Sequence, residues 1–136
     1  MSTCQTCGAW HLDAQKATPS EPAWPAAWPA AWPAAWRDVI SERRRQVAIK
    51  GYLLEDDDWY RTGELALAAS VYALSSALPP ILVLDERQER VPVYWPWSAA
   101  CFKPRGPRRD LIRAAALLLA EIERRDRASA AAEQQP

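Results

Sequence analysis

Arg108-Arg109-Asp110-Leu111-Ile112-Arg113-Ala114-Ala115-Ala116-Leu117-Leu118-Leu119-Ala120-Glu121-Ile122-Glu123-Arg124-Arg125 is the stretch that decides the fold. Leu111, Ala115, Leu118 and Ile122 recur at i, i+4, i+7 and i+11, and Ile112 and Leu119 widen the stripe. That period belongs to an amphipathic helix with one packed face. After Pro104 and Pro107 nothing interrupts the run, so a helix is expected from about Arg108 to Ala128. Its seam is expected to dock on a second helix carrying Leu65 and Tyr72. Burying five or six such side chains contributes roughly 1.5–3 kcal/mol each before chain entropy is counted.

The partner helices lie upstream. Val39, Ile40 and Val47 fall at helical spacing between Asp38 and Lys50, with Arg43, Arg44 and Arg45 expected mostly outward. Gly51 supplies a C-terminal stop. The acidic loop Glu55-Asp56-Asp57-Asp58-Trp59 leads to Thr62, expected as the N-cap of a helix starting near Gly63-Glu64. Leu65, Ala68, Ala69, Tyr72 and Ser76 share one face of it, and Pro79-Pro80 is expected to end it. Ile81-Leu82-Val83-Leu84 and Val91-Pro92-Val93-Tyr94-Trp95 can pair as a short hairpin, with Pro92 confining the second segment to an edge. Trp95-Pro96-Trp97 and Phe102 are expected to cover one end of the core. The fold class that follows is all-α in the main: three helices, a Trp/Pro-rich connection and one short β-hairpin.

Before Arg37 the pattern changes. From Ala23 to Trp36 the chain repeats a Trp-Pro-Ala-Ala tetrad. Trp every fourth residue would line one helix face, but each interior Pro costs ~3 kcal/mol there. Polyproline II is the expected local state, setting successive Trp side chains ~12 Å apart and rotated ~120° about the axis. The expected organisation is a disordered leader over 1–36, a helical domain over 37–127 and a disordered tail over 128–136. The leader reads either as a low-complexity expansion or as a docking segment for a partner.

Bulk composition sets the limits. A chain of 136 residues has room for one domain, and 49% hydrophobic with 25% charged residues is ordinary for a soluble one. Seventeen basic side chains balance seventeen acidic ones, so net charge offers no support for wholesale binding to nucleic acid or a membrane surface. No apolar run reaches the ~18 residues of a membrane span. No basic-then-apolar secretory signal opens the chain. Three cysteines do not make a disulfide framework, and reducing cytoplasm is the expected location.

Between Arg37 and Arg127 the chain resembles a family of proteins encoded by tailed phages and prophages. The resemblance rests on Glu42-Arg43-Arg44-Arg45-Gln46, Gly51-Tyr52, Asp56-Asp57-Asp58, Gly63-Glu64-Leu65-Ala66, Ala68-Ala69 and Tyr72-Ala73. It continues through Trp95-Pro96-Trp97, Lys103-Pro104, Arg108-Arg109-Asp110-Leu111-Ile112 and Ala120-Glu121-Ile122-Glu123-Arg124. The family carries Trp where this chain has Tyr52, and a His where it has Glu55 or Asp56. The resemblance implies a phage or prophage accessory protein in a bacterial cytoplasm, with a host or phage protein as partner, and no defined chemistry.

Three groups of side chains are candidates for chemistry. Cys4, Cys7 and His11 supply three of the four ligands of a tetrahedral zinc ion, though a second Cys pair is missing. They read otherwise as an incidental dithiol. Asp57, Asp58 and Glu64, with Glu55 and Asp56 beside them, can offer oxygen ligands to a divalent cation. With Glu123 and Asp126 they resemble helical nucleotide pyrophosphohydrolases of the MazG type, which implies magnesium held between helices. The doubled acidic motif of that family's first helix is absent, and solvated helix ends are the alternative. Lys103, Arg105, Arg108, Arg109 and Arg113 gather at the start of the last helix, where free N–H groups and the helix dipole favour anions. A phosphate-bearing ligand fits there, although charge runs commonly just face water. With His11 the sole histidine, a hydrolytic triad is not expected. The reading from sequence is a non-enzymatic binding protein, with a metal-dependent nucleotide hydrolase as the alternative and a nucleic-acid-binding protein as a further one.

Overall fold

The computed structural model describes residues 2–3, 10–11, 32–48 and 54–135. The elements, in order, are β1 (Ser2–Thr3), β2 (Trp10–His11), α1 (Ala34–Ala48), α2 (Leu54–Asp57), α3 (Glu64–Ser75), β3 (Leu82–Leu84), β4 (Arg90–Pro92), a 3-10 turn (Ala99–Cys101) and α4 (Pro107–Glu133). Helices dominate, and two separate two-stranded antiparallel pairs, β1–β2 and β3–β4, complete the architecture. The chain is mainly α. Cys4, Cys7 and most of the Trp-Pro repeat lie outside the described residues, as does the Gly51 stop.

The last tetrad of the repeat does more than lead in. The Pro33 carbonyl accepts from the N–H groups of Trp36 and Arg37, and α1 begins at Ala34. Pro tolerates this position because its missing N–H would be unpaired there anyway. The folded region therefore starts inside the repeat, before the expected boundary at Arg37. At the other end, α4 runs to Glu133 and not to Ala128, because the alanines after Arg127 are strong helix formers. At 27 residues it is ~40 Å long.

α4 is the spine. Tyr72 of α3 lies against Arg113, while the charge of Glu64 acts on Arg124, so α3 runs antiparallel to α4. α1 pairs Asp38 with Arg108 and Arg43 with Glu123, so it runs in the same sense as α4. The β3–β4 hairpin pairs the two expected segments in the register Leu82↔Pro92, Val83↔Val91 and Leu84↔Arg90.

The core lies between α3, the hairpin and α4. Ala68, Ala69, Val71, Tyr72, Val91, Trp95 and Ala114 are buried, with Trp97, Phe102 and Leu117 packed against them. Tyr72, Trp95 and Phe102 form a ring cluster with centroids 5.2–5.5 Å apart. Edge-on aromatic pairs of this kind add about 0.5–1.5 kcal/mol beyond area burial. The Trp95 indole N–H donates to the Ser98 carbonyl at 2.9 Å, and the Tyr72 hydroxyl accepts from the Lys103 N–H at 3.2 Å.

Four expectations need correcting. The seam Leu111, Leu118 and Ile122 is not the buried face of α4: these side chains are 50%, 48% and 55% exposed. Ile112, Ala114, Ala116 and Ala120 face inward, because two helices share α4 and small side chains let both approach closely. Arg43 does not point outward; it is 1% exposed. Thr62 does not cap α3. Gly63 occupies that position at φ 91°, and the Thr62 hydroxyl donates to Glu64 Oε1 at 2.6 Å. Finally α3 stops at Ser75, before Pro79. There the hydroxyls of Ser75 and Ser76 donate back to the Tyr72 and Ala73 carbonyls, a local bond that competes with the helix ladder.

Candidate functional site

The sequence-predicted groups come apart on folding. Arg108 reaches Asp38 at 2.6 Å and Arg109 reaches Glu42 at 2.5 Å, so both serve the α1–α4 contact. Arg113 donates to the Lys103 carbonyl and lies over the Tyr72 ring, 5.5 Å from its centroid. Asp110, buried, accepts from the Arg105 N–H at 2.9 Å and the Gly106 N–H at 3.3 Å. A carboxylate of the chain itself thus occupies the electropositive start of α4. Lys103 and Arg105 stay exposed at the surface.

The acidic group divides in the same way. Arg43 Nη2 donates to Asp57 Oδ2 at 2.9 Å and to Glu123 Oε2 at 2.5 Å, joining α1, α2 and α4 through one buried guanidinium. Asp58 accepts from Arg127 at 2.8 Å, and Glu64 from the Thr62 N–H at 3.0 Å. Burial outweighs the neighbouring Arg43 charge at Asp57 and pushes its carboxyl up to about 6. Two carboxylates converge on one cation here, so one of them can take a proton without leaving Arg43 unpaired. At Glu42 burial alone would raise the carboxyl, but hydrogen bonds and charge from Arg45, with Arg109 and Gln46, hold it below the usual range. Among the described residues no group of three Cys, His, Asp or Glu side chains is placed to hold a metal ion. The zinc candidate falls outside them at Cys4 and Cys7, and of His11 only the backbone is described.

Spacing in the sequence does not mark the concavity that the fold builds. A groove of about 1020 Å³ opens between the α2–α3 connection and the β3–β4 hairpin. Trp59, Tyr60, Tyr94, Trp95 and Trp97 supply its aromatic walls, while Asp56, Glu64, Asp85 and Glu86 outnumber the single cation Arg87. Its size suits a ligand or a short peptide segment. Tyr60 and Trp97 hold each other with centroids 5.4 Å apart, and Trp97 abuts Trp95 at the same distance. Asp85 shapes the hairpin turn, accepting at Oδ1 from the N–H groups of Arg87 and Glu89.

Two features of the groove are costly to the fold alone. Tyr94 has a left-handed backbone, φ 67°, with its ring 72% exposed. A bulky side chain in that region is strained by about 1–2 kcal/mol. The Pro92–Trp95 turn imposes it through the Trp95 N–H to Pro92 carbonyl bond at 2.9 Å. Among the described residues no acceptor meets the buried Trp97 indole N–H, and a buried donor without a partner is costly. Strain and unsatisfied polarity concentrate where binding residues are displayed. The clue in the sequence was the coincidence of Trp59-Tyr60 and Tyr94-Trp95-Pro96-Trp97 with two acidic runs.

Comparison of the chain with protein families, curated proteins and solved structures finds no match. No helix among the described residues is long and apolar enough to cross a membrane.

Proposed function

We propose that the protein is a non-enzymatic accessory protein of phage or prophage type. In this reading it acts in a bacterial cytoplasm by binding a positively charged segment of a partner protein in the aromatic groove. The observation that carries it is the meeting of five aromatic rings with four carboxylates and one Arg around a single concavity. Electron-rich ring faces attract ammonium and guanidinium groups by about 0.5–2 kcal/mol each, and carboxylates at the rim select the same sign. Extended proline-containing segments also dock against exposed Trp and Tyr ridges. Exposed Trp59 and Tyr94 are disposed for that contact. The phage context rests on the resemblance of Arg37 to Arg127 to that family.

The test uses indole fluorescence. Short Arg- and Lys-containing peptides should perturb the emission saturably, and acidic peptides of equal length should not. Trp59→Ala and Glu86→Lys should each weaken the interaction several-fold while leaving the helical circular dichroism unchanged. Equal binding of acidic and basic peptides would refute the reading.

A further inference from the structure

We propose that β3 is an open edge to which the basic partner segment adds as a third strand, with basic side chains at every second position and aliphatic ones between. This form of binding presupposes that the groove takes a positively charged segment. The direction of the backbone groups carries it. The Val93 N–H donates to the Ile81 carbonyl at 2.7 Å, and the Asp85 N–H to the Glu89 carbonyl at 2.9 Å. With Val83↔Val91 paired between them, residues 81, 83 and 85 turn their N–H and C=O groups toward β4. Leu82 and Leu84 therefore aim theirs the other way, where among the described residues no strand pairs with β3.

The two edges of the hairpin differ. That of β4 is closed: Pro92 has no N–H, its carbonyl accepts from the Trp95 N–H at 2.9 Å, and Arg90 adds a charge. That of β3 has none of these guards. Ile81, Leu82, Val83 and Leu84 are uncharged and between 42% and 68% exposed. An unguarded row of N–H and C=O groups is a template for strand addition.

Position and charge name the occupant. Val83 and Leu84 line the groove, as do Asp85 and Glu86 where β3 enters the turn, with Asp56 and Glu64 on the α2–α3 side. Val83 and Val91 stand opposite each other, and both line the groove. Every second side chain of an added strand, ~7 Å apart, therefore projects toward those carboxylates and the aromatic rings. Basic side chains at these positions meet opposite charge, whereas acidic ones meet like charge. The intervening side chains align with Leu82 and Leu84, which favours aliphatic residues there.

Indole fluorescence and amide hydrogen exchange of the full chain with short peptides test this. A peptide alternating Arg with Val should bind several-fold tighter than one with the same residues in two blocks. N-methylation of one alternate set of its backbone nitrogens should abolish binding, and methylation of the other set should leave it intact. The bound peptide should slow exchange of the Leu82 and Leu84 amides without changing Val83, which β4 already pairs. Leu82→Pro removes an outward N–H that the hairpin does not use and should weaken capture about fivefold, the worth of one net hydrogen bond. Leu82→Ala keeps that N–H and should cost less. Equal binding of alternating and blocked peptides, or tolerance of both methylation patterns, would overturn strand addition while leaving a preference for basic over acidic peptides in place. Equal affinity for acidic and basic peptides would instead remove the groove reading itself. Leu82 and Leu84 amides that exchange slowly without peptide, and faster on dilution, would assign the edge to a second copy and overturn the proposal.

Discussion

The guanidinium of Arg43 and the carboxylate of Asp57 meet at 2.9 Å with their side chains only 2% and 6% exposed. This pair, completed by Glu123, is how α1 is attached: the buried face of α1 is Glu42, Arg43, Gln46 and Val47, with one apolar residue in four. Removing the cation from such a site leaves buried negative charge behind, which costs about 3–5 kcal/mol. Arg43→Ala should therefore bring the domain near or below its folding limit at pH 7 in urea denaturation. The loss should be smaller at pH 5, where Asp57 takes up a proton.

The raised Asp57 carboxyl makes a second, separable signature. Its folded value of about 6 exceeds the ordinary 3.8, so between those limits the folded state binds more protons than the unfolded one. Stability from this group is fully present below about pH 4 and declines as pH rises toward 6, by ~3 kcal/mol at most. Glu42, held low, acts in the opposite direction and loses its contribution as pH falls through its own folded value. Comparing Asp57→Asn with the original chain across pH 4–7 isolates the first effect. The variant should lack the decline, and an NMR titration should find Asp57 half-protonated near pH 6.

Tyr94 separates stability from binding. Tyr94→Gly removes an exposed ring and relaxes a left-handed backbone, so the variant should be more stable by ~1 kcal/mol. The same change removes one wall of the groove and should weaken capture of a basic peptide several-fold. Thermal unfolding and fluorescence titration of the one variant measure both.

Asp110 caps α4 from within. Asp110→Ala frees the N–H groups of Arg105 and Gly106, for an expected loss of about 1–2 kcal/mol. The urea midpoint should fall with an unchanged slope.

Much of the architecture was legible because it follows from period and punctuation. α4, α3 and the hairpin with its proline edge are local patterns, and each forms close to where its residues place it. The faces were not legible. Hydrophobic periodicity weights Leu above Ala, so it picks the Leu111–Ile122 line, whereas the packing of two helices on one spine selects Ala114, Ala116 and Ala120. Arg43 misled for a related reason: a guanidinium reads as surface until the fold brings Asp57 and Glu123 to it from 14 and 80 residues away. The groove is assembled from segments about 35 residues apart in sequence, and no spacing rule joins Trp59 to Tyr94.

The alanines that line the buried faces of α3 and α4 also govern which substitutions the chain can absorb. Ala68, Ala116 and Ala120 are at most 1% exposed, and nothing wider than a methyl group fits where the backbones draw together. The bulky aliphatic positions on the far side carry no such restriction within one molecule. Sequence drift should accumulate at the large residues and spare the small ones.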